Sequence, residues 1–314
     1  MDLSIIVVNW NSGHYLRHCL DSVFSRSVSL SFEVFVVDNA SSDDSLTGLK
    51  EQFPRVQWLE NEENVGFARA NNQALKQARG RYLLVLNPDT VILDDALEQM
   101  IRLMDAHPGV GIGACQLLNS DGTIQRSCRS FPTLWTLLWD AILLDALLPP
   151  NRVTGRYELR YWHHDSERDV DQPAGAFLMV RRELLASVGF MDERFFVYYE
   201  DVDWCFRAMQ AGWRVVFWPA PKVLHHGGGS ANSHYTHASA LMHESMLKYF
   251  RKHYGVGASV LAQLISLAGA PVHLGVWAVQ FALNSSKRPV YARLLRGNFA
   301  WWKRELRRGM FAQL

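Results

Sequence analysis

Four strand-like runs separated by stretches of helical periodicity constrain the fold of this chain more than any other feature. The runs are LSIIVVN (3–9), FEVFVVD (32–38), VQWLE (56–60) and RYLLVLN (81–87). Between them, apolar residues recur roughly every three or four positions, as on one face of a helix. Strands that are apolar on both faces are covered by helices on both sides, which is typical of parallel sheets. The order therefore predicts an α/β fold with a doubly wound, mostly parallel sheet.

Each of these strands ends in polar residues. The ends carry Asn9 and Asn11, Asp38 and Asn39, Asn61 and Asn64, and Asn87 and Asp89. Turn chemistry can explain any one of them, but parallel strands bring all of them to one edge, where open α/β sheets bind ligands. No glycine-rich loop lies there, and WNSGHY (10–15) has no lysine, so a phosphate at this edge would need a metal. A carboxylate such as Asp89 suits Mg²⁺ or Mn²⁺.

Composition narrows the functional class. The chain has 314 residues, 48% of them hydrophobic, and a formal net charge of +1, which does not indicate a nucleic-acid partner. Its four cysteines show no CxxC or zinc-like spacing, so we expect reduced thiols in a cytoplasmic protein. The opening MDLSIIVVNW enters a strand directly, without the pattern of a secretory leader.

A series of motifs follows in a fixed order along most of the chain. They are SIIVVNWNS, VVDNASSDDS, NVGFARANN, LNPD, QPAGAFLMVRRE, FFVYYEDVDWCFRA and VLHHGGGS. The series resembles that of family 2 glycosyltransferases with the GT-A fold, most closely the bacterial rhamnosyltransferase-like branch that builds cell-surface polysaccharides. The resemblance implies a GT-A domain over 1–250, divided near residue 110 into a nucleotide-binding half and an acceptor and catalytic half. A helical region over 251–314 follows.

The resemblance also implies roles for the polar strand ends. Asp38 corresponds to the aspartate that reads the pyrimidine base, with Asn39 near the ribose. Asp89 corresponds to the last acid of the metal-binding DxD-type motif, and His225 to a further ligand of the metal or diphosphate. The first position of that motif is Asn87 here, which leaves one firm carboxylate ligand. The implied nucleotide-binding residues are Asn9, Asn11, Asp38, Asn39, Asn64, Arg69 and Asn87.

The segment YYEDVDW (198–204) carries the implied catalytic residues. The resemblance makes Asp201 the base, with Glu200 beside it as the other candidate. A helical pattern follows Asp201, and a helix N-terminus favours the ionised carboxylate that a base needs. The plain alternative is that Glu200, Asp201 and Asp203 only cap this helix. Weaker candidates for the acceptor side are Arg129, Gly175, Asp203 and Trp204.

These features predict an inverting, metal-dependent glycosyltransferase. The expected donor is a dTDP- or UDP-sugar, with dTDP-rhamnose indicated by the branch, and the expected acceptor is a saccharide or a lipid-linked saccharide. Two alternatives stay open. A nucleotidyltransferase usually needs a Gly- and Lys-rich loop after the first strand, which this chain lacks. A non-catalytic glycan- or membrane-binding protein could share the fold. The oligomeric state also stays open.

The C-terminal region predicts contact with a membrane surface. Residues 256–286 contain no Asp, Glu, Lys or Arg, and the stretch is long enough to cross a bilayer at ~20 residues per crossing. Pro271 is expected to divide it into two helices. Trp301 and Trp302 follow among Arg and Lys, which is an interfacial pattern. We therefore expect helices that lie on the cytoplasmic face of the inner membrane, with a spanning segment and a packed appendage or oligomer interface as alternatives.

Overall fold

The computed structural model describes residues 1–26, 29–227 and 238–308, without the side chains of 286 and 306–308. The chain clusters into two compact units. The sheet unit comprises Met1–Ser130, Trp162–Phe196 and Glu200–His234, and the helical unit comprises Phe131–Tyr161, Val197–Tyr199 and Tyr235–Leu314. Residues 131–161 cluster with the C-terminal helices and not with the sheet.

Strands and helices alternate at the start of the chain, as the sequence predicts. The strands are β1 (Leu3–Asn9), β2 (Phe32–Asp38), β3 (Val56–Glu60), β4 (Tyr82–Leu86), β5 (Thr90–Ile92), β6 (Val110–Leu118), β7 (Ile124–Gln125), β8 (Cys128–Arg129), β9 (Arg168–Asp169), β10 (Gln172–Pro173), β11 (Phe177–Arg181) and β12 (Arg214–His225). The helices are α1 (His14–Arg26), α2 (Leu49–Gln52), α3 (Phe67–Leu75), α4 (Ala96–Ala106), α5 (Leu134–Ala141), α6 (Leu144–Leu147), α7 (Leu184–Val188), α8 (Glu200–Gln210), α9 (Ala238–Leu283) and α10 (Arg288–Arg308), with a 3₁₀ turn at Ser285–Lys287.

The main sheet of the sheet unit has the strand order β3-β2-β1-β4-β11-β6-β12-β5, with β7 beside β6 and β9 beside β12. The first four strands are parallel. β11 runs antiparallel to both of its neighbours, β12 is parallel to β6, and β5 is antiparallel to β12. β8 and β10 form a separate two-stranded sheet. The predicted doubly wound, mostly parallel α/β sheet is therefore confirmed.

Burial explains why the first strands read as apolar runs. Every residue of β1 and of β4 is buried, because helices cover both faces of the sheet. Helix α1 buries Leu16, Leu20 and Val23, the side of the helix that the spacing predicts. The parallel pairing of β1 with β2 and with β4 brings the carboxyl ends of the three strands to one edge of the sheet, where Asn9 is aligned with Asp38.

The helical unit is built around α9, which is broken at Gly255 and not at Pro271 as expected. Gly255 has a φ of 87°, a left-handed value that glycine adopts without a steric penalty. Pro271 lies inside a continuous helix. Its missing N–H leaves the carbonyl of Leu267, four residues earlier, without its helical donor. The indole Nε1 of Trp302, on α10, donates to that carbonyl over 3.2 Å. The side chain from α10 thus satisfies the group that the proline leaves open.

The part of α9 after Gly255 buries two polar residues and exposes several large apolar ones. Ser259 and Gln263 are buried, with 3% and 4% exposure. Val272 and Val279 are 42% and 55% exposed. The outward apolar residues are Val256, Leu261, Leu264, Val272, Val276, Val279 and Leu283. A helix of a soluble protein normally has the opposite pattern.

Helix α9 is also long and apolar enough to cross a membrane, by length and composition alone, and 28% of its most apolar window is buried. The core helix of a soluble protein can pass the same test. The two tryptophans that follow are used in packing. Trp301 is buried and stacks on the His243 ring, with ring centroids 3.8 Å apart, and Trp302 bonds to α9 as described above. Neither tryptophan is therefore a fully exposed anchor in this structure.

Candidate active site

The register of the sheet brings Asp89 and His225 together. Asp89 follows β4, and β5 then pairs antiparallel with β12 so that Thr90 lies opposite His225. The backbone N–H of His226 donates to the Asp89 carbonyl over 3.0 Å. His225 Nε2 lies 3.4 Å from Asp89 Oδ1, and both side chains are largely buried. The two residues implied as metal ligands are therefore neighbours although 136 positions separate them.

A chain of hydrogen bonds sets the orientation of the His225 ring. Thr123 Oγ1 donates to Asp121 Oδ1 and accepts from Asn119 Nδ2. Asn119 Oδ1 is therefore the atom that accepts from Gln125 Nε2, over 2.9 Å, and the same amide nitrogen donates to the His225 carbonyl. Gln125 Oε1 then faces His225 Nδ1 at 2.6 Å. Because an amide oxygen can only accept, the Nδ1 atom carries the proton.

This tautomer gives the pair its chemistry. In the neutral ring, Nε2 has a lone pair that faces the Asp89 carboxylate. Nε2 and Asp89 Oδ1 are then two acceptors 3.4 Å apart, and a positive charge shared between them would stabilise both. Gln125 holds the other ring nitrogen, as outer partners of metal-bound histidines usually do. Among the described residues, no group of three or more His, Cys, Asp or Glu side chains could hold a metal. One carboxylate and one imidazole still fit Mg²⁺ or Mn²⁺, which complete their shells with phosphate oxygens and water.

Asp201 is held by two backbone N–H groups. It lies in the first turn of α8, where Val202 N–H donates to its Oδ1 over 2.8 Å. Gly175 N–H donates to its Oδ2 over 2.9 Å. Gly175 immediately precedes Ala176, whose carbonyl accepts from the N–H of Asn87 over 3.0 Å. The carboxylate of Asp201 is thus tied to the strand end that also carries Asp89. A Cβ on Gly175 would meet Asp201 Oδ2 at 3.0 Å, so the glycine leaves room for this carboxylate.

The two neighbouring acids have raised pKa values. Burial raises the pKa of Asp201, while the backbone N–H groups of Val202 and Gly175 and the charge of Arg129 oppose that rise. Burial also raises the pKa of Glu200 well above its usual range, and the Asp201 charge raises it further. Glu200 Oε2 is buried and has no hydrogen-bond partner among the described residues. The arrangement favours Asp201 as the ionised member of the pair and a protonated Glu200 beside it.

The Asp38 carboxylate is largely committed to bonds within the protein. Its Oδ1 accepts from Asn9 Nδ2 over 2.7 Å and from Ser41 Oγ over 2.6 Å, and its Oδ2 accepts from Ser41 N over 3.0 Å. A carboxylate offers roughly four acceptor positions, which leaves about one for a base. Asn11 has a φ of 51°, and its side-chain oxygen accepts from the N–H groups of Ser42 and of the next residue. Asn9 and Asn11 therefore shape the loop after β2.

Asn39 and Asn64 are bonded to each other at the same edge. Asn39 Nδ2 donates to Asn64 Oδ1 over 2.7 Å, and the Asn39 N–H donates to the carbonyl of Asn9 over 2.8 Å. Arg69 lies exposed on α3, and Asn87 is half-buried after β4. The implied nucleotide-binding residues therefore share one sheet edge or the helix that follows it. Of the glycine-rich motif after β12, residues 228–230 lie outside the described residues.

Two of the acceptor-side candidates lie in the interior of the sheet unit. Asp203 is fully buried and forms an ion pair with Arg207, with Nε 2.8 Å from Oδ2. Trp204 is also fully buried, and its indole N–H donates to the Gly189 carbonyl over 3.0 Å. Both face the interior of the sheet unit because α8 turns that side toward the core. Arg129 is exposed, and its charge acts on Asp201.

Gln125 and Ser41 are site residues that the sequence does not indicate. Gln125 orients His225 from 100 positions away, and no local pattern around it points to that role. Ser41 lies in VVDNASSDDS and donates both its hydroxyl and its N–H to Asp38. For Ser41 a local signal does exist, because a serine shortly after an aspartate at a strand end often forms an Asx-type turn with it.

Two family models match the chain. The model described as Glycosyl transferase family 2 matches residues 4–188, and the one described as Glycosyl transferase family group 2 matches residues 165–302. The first match covers more than half of the chain and includes β1, β4, the Asp89 strand end and Gly175.

Individual proteins are similar over most of their length. The N-acetylglucosaminyl-diphospho-decaprenol L-rhamnosyltransferase of Mycobacterium tuberculosis is 29% identical over 235 residues, which are 71% of this chain and 76% of that protein. The rhamnosyltransferase WbbL of Escherichia coli K12 is 24% identical over 79% of this chain and 92% of its own length. The solved structure of the mannosyltransferase PcManGT from Pyrobaculum calidifontis, in complex with GDP-Man and Mn²⁺, superposes with a TM-score of 0.56 at 18% identity. The match covers 99% of this chain and 88% of that chain.

Proposed function

The chain belongs to Glycosyl transferase family 2 and is a glycosyltransferase with the GT-A fold, and from that premise we propose an inverting, metal-dependent transfer of a sugar from a nucleoside diphosphate. The proposed donor is dTDP-rhamnose, since the two relatives named above are rhamnosyltransferases. The proposed acceptor is a saccharide on a lipid carrier, in the synthesis of a surface polysaccharide. The name of the mycobacterial relative, which contains a sugar diphosphate linked to decaprenol, supports this acceptor class.

One observation carries the proposal. The Asp89 carboxylate and the Nε2 atom of His225 lie 3.4 Å apart, with Gln125 fixing the proton on the far nitrogen of the ring. A carboxylate and an imidazole lone pair this close support a shared cation at the edge where the strands end. A divalent cation bound there would neutralise negative charge as the diphosphate leaves.

Asp201 is proposed as the base of the transfer step. The acceptor hydroxyl oxygen forms a bond to the anomeric carbon of the donor, and the bond from that carbon to the diphosphate oxygen breaks. The hydroxyl proton moves to the Asp201 carboxylate. Attack from the side opposite the leaving group inverts the configuration. The two N–H bonds from Gly175 and Val202 hold the carboxylate in one orientation for this task.

We also propose that the protein is cytoplasmic and binds the inner-membrane surface through the helical unit. The outward face of α9 after Gly255 is apolar, which suits lipid. Residues 245–304 contain nine Lys and Arg and no Asp or Glu, so this region complements an anionic leaflet. Binding at the surface would give the enzyme access to a lipid-linked acceptor.

The decisive experiment for the chemistry is metal-dependent donor binding. Thermal unfolding is measured with UDP, dTDP and dTDP-rhamnose, each with Mn²⁺, with Mg²⁺ or with chelator. We expect stabilisation by nucleotide only with metal, and its loss in Asp89→Ala. Asp165→Ala is the matched control, because Asp165 is an exposed aspartate of the same unit. Metal-independent stabilisation, or an Asp89→Ala protein with wild-type turnover, contradicts the proposed ligand role.

The same panel tests the two alternatives. A nucleotidyltransferase would be stabilised by nucleoside triphosphates and would release pyrophosphate from them. A non-catalytic binding protein would neither hydrolyse nor transfer the sugar of any donor in the panel. Release of nucleoside diphosphate from a sugar nucleotide, abolished in Asp201→Asn, supports transferase chemistry over both.

A further inference from the structure

The helical unit contains a cavity of about 210 Å³ that the proposed chemistry does not use. Helices α5, α9 and α10 surround it. The lining side chains that matter for recognition are Asp140, His243, His273, Trp277, Asn298 and Trp301. The volume is below the roughly 300–1,000 Å³ of pockets for drug-sized ligands, so it suits a single small ring.

Hydrogen bonds within the unit give the two imidazoles definite tautomers. His243 Nδ1 lies 2.9 Å from the Ser239 carbonyl, which can only accept, so the proton is on Nδ1 and Nε2 has a lone pair. Burial lowers the pKa of His243, which keeps this ring neutral. His273 Nε2 donates to the Asp140 carbonyl over 3.0 Å, and the neutral ring then has its lone pair on Nδ1.

The other polar groups of the cavity are also acceptors. Asn298 donates one amide N–H to the carbonyl of Leu294, over 3.0 Å, which leaves its side-chain oxygen as an acceptor and its second N–H as a donor. The Asp140 carboxylate lies at the exposed rim, 3.7 Å from His273 Nε2. The cavity thus offers several acceptors beside the indole rings of Trp277 and Trp301. A ligand that satisfies it has several O–H or N–H donors and an apolar face.

The lining excludes other ligand classes. Among the residues that the structure describes, no Lys or Arg lines the cavity, so a phosphate or carboxylate would meet Asp140 without a counter-charge. A purely apolar ligand would leave the acceptors without donors.

We propose that this cavity is a binding site for one neutral sugar residue. The hydroxyl groups of the sugar donate to the acceptors, and the C–H face of its ring packs on Trp277. The same unit carries the outward apolar face of α9, which suits lipid. A sugar site and a lipid-contacting face in one unit would match the two parts of a lipid-linked saccharide. The assignment of the bound sugar to the acceptor rests on the proposed function, whereas the presence of the site does not.

The test is saturation-transfer NMR on the full chain. The probes are the methyl glycosides of glucose, N-acetylglucosamine and rhamnose, with methyl glucuronide as an anionic match to the glucoside. Each is measured with and without dTDP and Mn²⁺. We expect transfer to at least one neutral glycoside but not to the glucuronide, and we expect it to persist with nucleotide present. A signal that nucleotide abolishes belongs to the donor site and overturns the proposal, as does the absence of any signal.

Variants locate the site. Trp277→Ala should abolish the signal, and Asn298→Leu should weaken binding about fivefold, the factor that accompanies the loss of one hydrogen bond. Trp135→Ala is the matched control, because Trp135 is an exposed tryptophan of the same unit outside the cavity. A glycoside signal that survives both cavity variants sinks the proposal. Nucleotide stabilisation, measured in parallel, should be unchanged in all three variants. If nucleotide does not stabilise the wild-type protein, the proposed transferase chemistry is contradicted, while the sugar signal at Trp277 is unaffected.

Discussion

The sheet unit and the helical unit distribute polar and apolar residues in opposite ways. In the sheet unit, strands such as β1 and β4 are wholly buried, and their polar ends gather at one edge. In the helical unit, α9 after Gly255 buries Ser259 and Gln263 and exposes Val272 and Val279. The first arrangement is that of a protein in water. The second is suited to a surrounding that is itself apolar.

The difference extends to charge. The active-site edge of the sheet unit carries acids such as Asp38, Asp89 and Asp201, which would need a cation before a diphosphate could approach. The helical segment 245–304 has only basic charged residues. This difference supports the two proposals made above, metal-assisted chemistry in the sheet unit and contact with an anionic membrane surface in the helical unit. Changes in each unit should affect one of these properties and leave the other intact.

The largest expected effect is in the sheet unit. Asp201→Asn should lower the rate of sugar transfer roughly 10²–10⁴-fold, because the amide cannot accept the proton. Vesicle binding should not change. In the wild-type protein the rate should fall as the pH drops and Asp201 is protonated, and this fall should lie above the usual range for aspartate because burial raises the pKa of Asp201. Initial rates against pH provide the measurement. If Asp201→Asn stays active while Glu200→Gln is inactive, the base is Glu200.

The next effect should be confined to the helical unit. Val272→Asp with Val279→Asp places two charges on the outward face of α9 and should weaken binding to phosphatidylglycerol vesicles about tenfold or more. Met209→Asp is the control, because Met209 is an exposed apolar residue of the sheet unit. Co-sedimentation at low and high salt measures the binding. A wild-type protein that ignores the vesicles, or a double variant that binds as well as Met209→Asp, removes the membrane proposal.

Gly175→Ala should give a smaller effect on chemistry. The added Cβ would lie 3.0 Å from Asp201 Oδ2 and would push the carboxylate by a few tenths of an ångström. Since a displacement of about 1 Å can cost 10²-fold, we expect a loss of about three- to tenfold in kcat. Gly109→Ala is the control, because a Cβ at Gly109 meets nothing within 4 Å. Equal rates for both variants would show that Gly175 does not position Asp201.

Glu200→Gln should raise stability at neutral and alkaline pH. The folded protein raises the pKa of Glu200, so Glu200 contributes its full stability at pH values below its pKa in the unfolded chain. That contribution is lost as the pH rises through its pKa in the folded protein. The amide carries no charge, so the variant should be more stable than the wild type by about 1 kcal/mol or more above that range, and its stability should vary less with pH. Urea unfolding at a series of pH values measures both. A variant that is less stable than the wild type at high pH contradicts the raised pKa.

The smallest effect is expected at the proline of the helical unit. Trp302→Phe keeps an aromatic ring but removes the donor to the Leu267 carbonyl, and should lower stability by about 0.5–1.5 kcal/mol. Pro271→Ala restores the helical N–H to that carbonyl and should make Trp302→Phe nearly neutral in the double variant. Thermal unfolding of the four proteins gives the coupling. Additive effects of the two changes would mean that the indole does not replace the missing donor.

The strands that were easiest to predict are those whose burial is complete. The runs 3–9 and 32–38 match β1 and β2, whose buried apolar side chains on both faces leave no competing structure. The run 56–60 matches β3, although only Val56 of that strand is buried. The sequence predicts the break in α9 at Pro271, and the break occurs at Gly255. The helix continues through Pro271, and the carbonyl that this proline leaves without its helical donor accepts from Trp302 on another helix.

The alternation of strands and helices, the polar strand ends and the absence of acids from 245 to 304 can be read from the sequence, because these depend on residue type and local spacing. Which polar residues meet depends on how the chain folds. It brought Gln125 to His225 and Gly175 to Asp201, and it turned Asp203 and Trp204 into the core although they adjoin Asp201 in the chain. The physical reason is that strand pairing and helix orientation set distances between residues far apart in sequence, and no local pattern encodes those distances.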